Sequence, residues 1–325
     1  MTTEAVLGID VAKQDLHVAL LRADGKRKHK RFTNSPAGFG QLADWLAERG
    51  VATVHACLEA TGGHEQAVAT YLYEAGHVVS VINPAQVAKY AQSLLSRNKT
   101  DRADASVIAR FAATQAPEPW APPPVEVRQL QALVRRLVAV QTMRDEENNR
   151  RASPALPDAV AQSITQVQAE LEREIARLRR EIDTHINNHP HLREQQDLLA
   201  TIPGIGVATA QRLIAEIGSL TRYTGARQLA AAAGLTPRQH RSGRSVCGPS
   251  RLSKTGNAHL RQALYFPAIV AWTHNPVIRT FCDRLRHQGK PKMSVLAAAM
   301  RKLLHIVFGV LKHRQPFNPD IPQTA

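Results

Sequence analysis

The stretch EAVLGIDVAKQDLHVALL, residues 4–21, decides the fold. Residues 4–10 are an apolar run ending in Asp10 and read as a buried strand. Asp15 to Leu21 alternates less cleanly and reads as a second strand. Between them, Val11-Ala12-Lys13-Gln14 is a short turn, so the two are predicted to form a hairpin. Working outward, Lys26 to Phe32 (KRKHKRF) is a basic third strand, suited to an edge where lysines discourage aggregation. Ser35-Pro36 starts a helix that ends at Gly50, with Ser35 as N-cap and Pro36 at the first position. Thr53 to Leu58 is a β-rich run ending in Glu59. A helix over 64–75, a strand over Val78 to Ile82, and helices over about 85–95 and 101–115 follow. Three strands before the first helix, then alternation, predict a mixed sheet flanked by helices, an α/β domain.

Beyond it the pattern becomes helical. Residues 117–124 (PEPWAPPP) hold five prolines and form a stiff connector. A helix over about 126–151 is broken by Ser153-Pro154 and Pro157. Within 158–188, Ile164, Leu171 and Leu178 fall seven apart, and Ile175 and Ile182 sit four after the two leucines. Isoleucine at a and leucine at d is the pattern of a two-stranded coiled coil, which predicts self-association as a homodimer. Packing within one chain is the competing reading, and Gln168 and His185 in the seam favour it. Residues 198–220 read as helix, Ile202-Pro203-Gly204-Ile205-Gly206, helix. The remainder to about 313 reads as helices broken by one Gly/Ser/Arg-rich loop at 234–256. The expected division is 1–116, 117–197, 198–316, and a disordered tail over 317–325.

The chain of 325 residues has 42 Lys+Arg and 27 Asp+Glu, a net of +15. Residues 1–200 hold 24 of each, whereas residues 201–325 hold 18 basic and 3 acidic residues. A surplus confined to one region points to a polyanion, nucleic acid first. Three scattered cysteines without C-x-x-C exclude a disulfide framework and a Cys-rich zinc site. No uninterrupted apolar run approaches the ~18 residues of a spanning helix. The N-terminus lacks a secretory signal pattern. A cytoplasmic protein without a membrane partner is expected.

Four acids occupy informative places. Asp10 ends the first strand, Glu59 ends the strand expected beside it, and Asp101 and Asp104 are three apart on one helix face. Carboxylates brought together repel unless cations hold them. Hard oxygen ligands suit Mg²⁺ or Mn²⁺. Two ions about 4 Å apart would activate a nucleophile and stabilise a leaving oxygen in phosphodiester chemistry. Singly, each acid has a plainer role: a turn cap for Asp10, an ion pair for Glu59, an N-cap for Asp101, a helix-dipole charge for Asp104. Lys99 nearby could meet phosphate.

In the basic region, Ser242 lies among Arg238, Arg241, Arg244, Arg251 and Lys254, a loop suited to phosphate. Serine is a weak nucleophile and needs activation. The residues alone do not choose among Ser242, Ser245, Ser250 and Ser253, and Ser-Gly also suits an ordinary turn. Gly204 and Gly206 look like a helix-hairpin-helix turn whose N–H groups approach phosphate without reading sequence. A tight turn needing glycine explains them equally well.

The motifs GIDVAK around Asp10, LEATG around Glu59, VINP at 81–84, RNKTDRADA around Asp101 and Asp104, IPGIG at 202–206, AGLTPR at 233–238 and HRSG with SRLSKTGN over 240–257 have a counterpart. In this order they resemble insertion-sequence transposases of the IS one-hundred-and-ten group, also called bridge-RNA-guided recombinases. The resemblance runs from about residue 5 to 315. It implies an RNase-H-like, RuvC-like domain carrying a DEDD metal tetrad at Asp10, Glu59, Asp101 and Asp104. It also implies a C-terminal domain whose nucleophile is Ser242, attacking DNA to give a covalent phosphoserine. It implies donor and target DNA and a guide RNA encoded beside the gene. The assembly expected is a dimer that pairs again on DNA into a tetramer. Two rivals stand beside that reading: a metal-dependent junction-type endonuclease using water, and a non-catalytic nucleic-acid-binding protein.

Overall fold

In the computed structural model the described residues are 5–94, 100–242 and 246–320, with the backbone alone described for 239–242 and 246–250. The chain divides into two compact units, Met1–Pro122 and Pro123–Ala325.

In the first unit, β1 (Ala5–Val11) and β2 (Asp15–Arg22) form the expected hairpin, and β3 (Arg27–Thr33) adds antiparallel to β2. Helix α1 (Pro36–Ala47) is capped by Ser35, whose Oγ accepts the Gly38 N–H at 3.3 Å. Then come β4 (His55–Glu59), α2 (Gln66–Glu74), β5 (Val78–Ile82), α3 (Pro84–Ser93) and α4 (Asp101–Gln115). The five strands lie in the order β3-β2-β1-β4-β5, with β1, β4 and β5 parallel. The mixed sheet expected from the element order is the one observed.

Strand alternation sorts side chains to two faces. Leu7, Ile9 and Val11 face Leu42, Trp45, Leu46 and Leu72 of α1 and α2. Gly8 and Asp10 belong to the opposite face, where Cys57 packs with Ile108 and Phe111 of α4. The proline-rich segment runs along β5: Trp120 donates to the Val79 carbonyl at 2.6 Å, and the Ser80 hydroxyl donates to the carbonyls of Pro117 and Glu118 at 3.0 and 2.8 Å. This backbone covers the outer edge of the sheet, which would otherwise present unpaired groups.

The second unit begins with α5 (Val125–Arg151) and α6 (Asp158–Asn187), which pack as a helical hairpin. The α6 heptad is covered from within the chain: Ile175 and Leu178 are buried with Val140, beside Leu133, Leu137 and Leu171. The polar seam residues find partners on α5 as well. Gln168 donates to Asn148 Oδ1 at 2.7 Å, and His185 Nε2 lies 2.8 Å from the Glu126 carbonyl. The buried seam is therefore an intrachain one, and a coiled coil between chains is not needed to explain it.

Helices α7 (Pro190–Ala200), α8 (Val207–Ile217) and α9 (Ala226–Ala232) follow, with a 3-10 turn at Leu220–Arg222. Residues 234–256, expected as a loop, contain an antiparallel hairpin of β6 (Pro237–Ser242) and β7 (Val246–Leu252). Gly248 and Pro249 inside β7 hide the strand from sequence reading. Helices α10 (Ala258–Ala263), α11 (Tyr265–His274), α12 (Pro276–His287) and α13 (Lys292–His313) complete the unit. Helix α13 is long and apolar enough to cross a membrane by length and composition. The sequence expectation missed this because Arg301 and Lys302 interrupt its apolar run. Its Leu303, Leu304, Ile306 and Val307 are buried in the largest core of the protein. Phe317 packs against the same core and donates its N–H to Thr201 Oγ1 at 2.9 Å.

Candidate active site

The acids of the first unit take their places from one close packing contact. A Cβ added at Gly8 would lie 2.2 Å from the Ala105 carbonyl oxygen and 2.3 Å from the Ala109 nitrogen. Only glycine lets α4 lie so near β1. Asp10 is two residues further along the same strand face. Its cross-strand partner is His17, and His17 Nε2 lies 3.3 Å from Asp101 Oδ2, one turn before Ala105. Ile9 pairs with Leu58, so Asp10 and Glu59 are the next residues along adjacent parallel strands. Glu59 shares the face of Cys57, which packs against α4. Asp10, Glu59 and the first turn of α4 thus occupy one edge and one face of the sheet.

Thr100 caps α4, accepting the Ala103 N–H at 3.2 Å, and Asp101 and Asp104 both fall in the first turn, where the helix dipole favours them. Asp101 is therefore not the N-cap. Its side chain is 68% exposed, so the pair with His17 contributes little stability. Asp10, Glu59 and Asp104 are half-buried. Among the described residues, no three His, Cys, Asp or Glu side chains are close enough to hold an ion as they stand. The four acids share an edge without closing into a cage. Lys99 lies outside the described residues.

Sequence reasoning missed Glu65. This buried carboxylate accepts the N–H groups of Thr61 and Gly63 at 3.0 and 2.9 Å and the Thr61 hydroxyl at 3.2 Å. It fixes the loop that leaves Glu59. The available signal was Gly62-Gly63, both with positive φ, followed closely by an acid.

In the second unit, Ser242 is the last residue of β6, paired with Val246, and Gly243, Arg244 and Ser245 lie outside the described residues. Arg241 pairs with Cys247, and the exposed Arg238 is directly opposite the exposed Arg251. Lys254, also exposed, has a left-handed backbone with φ of 55°. The base of the hairpin is pinned by backbone bonds: Ser253 N–H to Thr236, Lys254 N–H to Gly234 and Asn257 N–H to Ala232, at 2.9, 3.1 and 2.7 Å. Arg261 donates to the Ala233 carbonyl at 3.1 Å. At Gly256 a Cβ would lie 2.2 Å from the Ala232 oxygen.

Gly204 and Gly206 differ in role. Gly204 has φ of +104°, and a Cβ there would lie 2.8 Å from the Ala271 nitrogen, so packing of α11 explains it. Gly206 is exposed, precedes the first residue of α8, and has open space where a Cβ would be.

With this geometry in place, comparison with known proteins is informative. Residues 7–154 match the family of DEDD transposases of IS110, and residues 196–283 match the family described as transposase IS116/IS110/IS902. A pilin gene-inverting protein of Moraxella bovis is 34% identical over 98% of this chain and 99% of its own length. The transposase for insertion sequence element IS1328 of Yersinia enterocolitica is 28% identical over 89% of this chain and 87% of its own. A solved structure of Thermus thermophilus RuvC aligns with 36% of this chain and 99% of its own, at 19% identity and a TM-score of 0.27.

Proposed function

This chain belongs to the IS116/IS110/IS902 family of insertion-sequence transposases, and we propose that it cuts and rejoins DNA with Ser242 as nucleophile, assisted by divalent metal at Asp10, Glu59, Asp101 and Asp104. The observation that carries the reading is the position of Ser242. It ends a strand whose hairpin sets Arg238 against Arg251, in a segment without a carboxylate between Glu216 and Asp283. Guanidinium groups there would offset the charge that develops on a phosphoryl group under attack.

In the step itself, the Ser242 Oγ–P bond forms as the P–O3′ bond breaks. The serine proton is lost and the departing 3′ oxygen is protonated, leaving a phosphoserine and a free 3′-hydroxyl. The bond energy stays in the phosphoserine, so a 3′-hydroxyl from another strand reverses the step without ATP. Exchange between two sites on one DNA molecule would give inversion, the outcome for which the Moraxella bovis relative is named.

The donor set suits Mg²⁺ or Mn²⁺ in kind, being four carboxylates on one sheet edge and one helix turn. When bound there, such an ion would neutralise phosphate oxygens and favour departure of the leaving oxygen. The chain's own contribution would be placement: Gly8 admits α4 against β1, and the first turn of α4, with Asp101 and Asp104, would face the edge that holds Asp10. Lys99, Arg241, Arg244, Arg251 and Lys254 would hold phosphates, with Gly204 and Gly206 as a further backbone contact. Donor and target DNA are the substrates, with a guide RNA pairing to both and a homodimer, or a tetramer on DNA, as the working assembly.

The deciding experiment incubates protein with Mg²⁺, guide RNA, donor and target DNA and looks for a covalent protein–DNA adduct. Wild type should form it, whereas Ser242→Ala and Asp10→Asn should not. Cleavage that survives Ser242→Ala, without adduct, would replace this reading with a water-dependent junction endonuclease. Salt-sensitive binding without cleavage under any metal would leave a binding protein.

A further inference from the structure

A buried carboxylate ties the base of the serine hairpin to the frame of the second unit. Glu216, in the last turn of α8, has a side chain only 3% exposed. Its Oε1 and Oε2 accept a two-pronged contact from Arg135 of α5, at 2.8 and 2.9 Å. Oε2 also accepts Asn257 Nδ2 at 2.9 Å. Asn257 is the N-cap of α10: its Oδ1 accepts the Leu260 N–H at 3.1 Å, and its own N–H bonds the Ala232 carbonyl. Gln131 of α5 reinforces the junction by donating to the Ala215 carbonyl at 3.0 Å.

Burial by itself pushes the Glu216 carboxyl up, but the hydrogen bonds from Arg135 and Asn257, with the Arg135 and His259 charges, outweigh it and hold the group below its ordinary value. The carboxylate is thus kept charged in an apolar surround. Stability alone does not require that, because apolar replacements of buried ion pairs are often as stable. What the pair supplies is a directional link among α5, α8 and the cap of α10. Four residues separate the end of β7 from Asn257, and the bonds at Gly234, Lys254 and Arg261 leave that base little freedom.

We propose that Glu216, through Asn257 and braced by Arg135, is a positioning residue that sets the angle at which the β6–β7 hairpin presents Ser242. The inference rests on Ser242 being the nucleophile. It predicts that loosening the link slows attack while leaving the rest of the unit and its DNA affinity intact.

The test is Asn257→Ser, which keeps an N-cap oxygen for Leu260 but cannot reach Glu216. With Mg²⁺, guide RNA and both DNAs, adduct formation should slow by roughly ten- to a hundredfold, the scale of a ~1 Å misplacement. DNA affinity should stay within about twofold of wild type, since the phosphate-facing cations remain. Hydrogen exchange should quicken at the base of β6 and β7 and stay unchanged in α5 and α8. Asn257→Asp, isosteric and also a good cap, sets a carboxylate against Glu216 and should give the same split. Adduct formation at the wild-type rate in both variants overturns the inference, as does equal exchange quickening throughout the unit. If either variant does not fold, exchange in the wild-type protein decides: the Asn257 and Leu260 amides should be protected like those of α8, and rapid exchange there refutes the link. Should Ser242→Ala still form adduct, the nucleophile assignment fails separately, and exchange alone then tests the link.

Discussion

Gly8→Ala is the substitution in which fold and candidate site are most tightly joined. In an isolated strand this change is stabilising by about 0.5–1 kcal/mol, because alanine loses less backbone freedom on folding. Here the added Cβ would stand 2.2 Å from one backbone atom of α4 and 2.3 Å from another. Both are main-chain atoms, so no side chain can turn aside. Restoring an ordinary contact requires α4 to retreat by roughly 1 Å. Overpacking of that kind costs about 1–3 kcal/mol, which reverses the sign expected for a free strand. Thermal unfolding should therefore shift down by several degrees. The same retreat carries Asp101 and Asp104 away from Asp10. Adduct formation with Mg²⁺ should fall by about a hundredfold, the scale for a 1 Å misplacement. DNA binding by the basic unit should be unaffected. An unchanged or raised midpoint together with wild-type adduct formation would refute both the packing argument and the role given to α4.

Three further outcomes are expected. Ile175→Ala, in the α6 face covered by Val140 and its neighbours, should cost about 2–5 kcal/mol in thermal or urea unfolding. Lowering pH should weaken the second unit: the folded value of Glu216 lies below its unfolded one, so its contribution is complete above the ordinary 4.5 and is lost as pH falls through the depressed folded value. Midpoints measured from about pH 6 to about pH 3 should fall less steeply in Glu216→Gln with Arg135→Met than in wild type. Arg251→Ala removes one of two like charges directly opposed across β6 and β7, so it should stabilise the unbound hairpin while weakening DNA binding. A salt titration should show the binding slope reduced by about one.

How far the residues announce this structure depends on what each pattern encodes. The β1–β2 hairpin is legible because a turn lies between two apolar runs, and Asp10 and Glu59 are legible because each ends one. Face assignment is legible only as parity. That Gly8 receives α4 cannot be read from a lone glycine, since its reason is a backbone 97 residues onward, at Ala105. The α6 heptad states that a partner exists without stating which one. Gln168 and His185 hinted at the answer, for their partners Asn148 and the Glu126 carbonyl belong to α5. The β6–β7 hairpin was hidden because its strands carry cations, a glycine and a proline where apolar alternation is sought. Glu216 was hidden for the opposite reason, as one acid in an amphipathic helix with nothing to mark it as buried.

The two units carry complementary electrostatic problems. On the first, the acids proposed to hold metal lie at one edge of the sheet and in the first turn of α4, and a cation bound there would lower any repulsion among them. On the second, Arg238 faces Arg251 and no carboxylate interrupts the chain from Ile217 to Cys282, so repulsion there falls when a polyanion is present. In the proposed function, phosphate oxygens would meet the arginines of the second unit and a divalent cation would meet the acids of the first. The charge of +15 is more informative as a division than as a sum: the first 200 residues are neutral, and the last 125 hold the whole basic surplus. A chain with the same total spread evenly would bind DNA by attraction alone. Under the proposed function, segregated charge would let binding energy be used on the reacting phosphate rather than along the whole duplex.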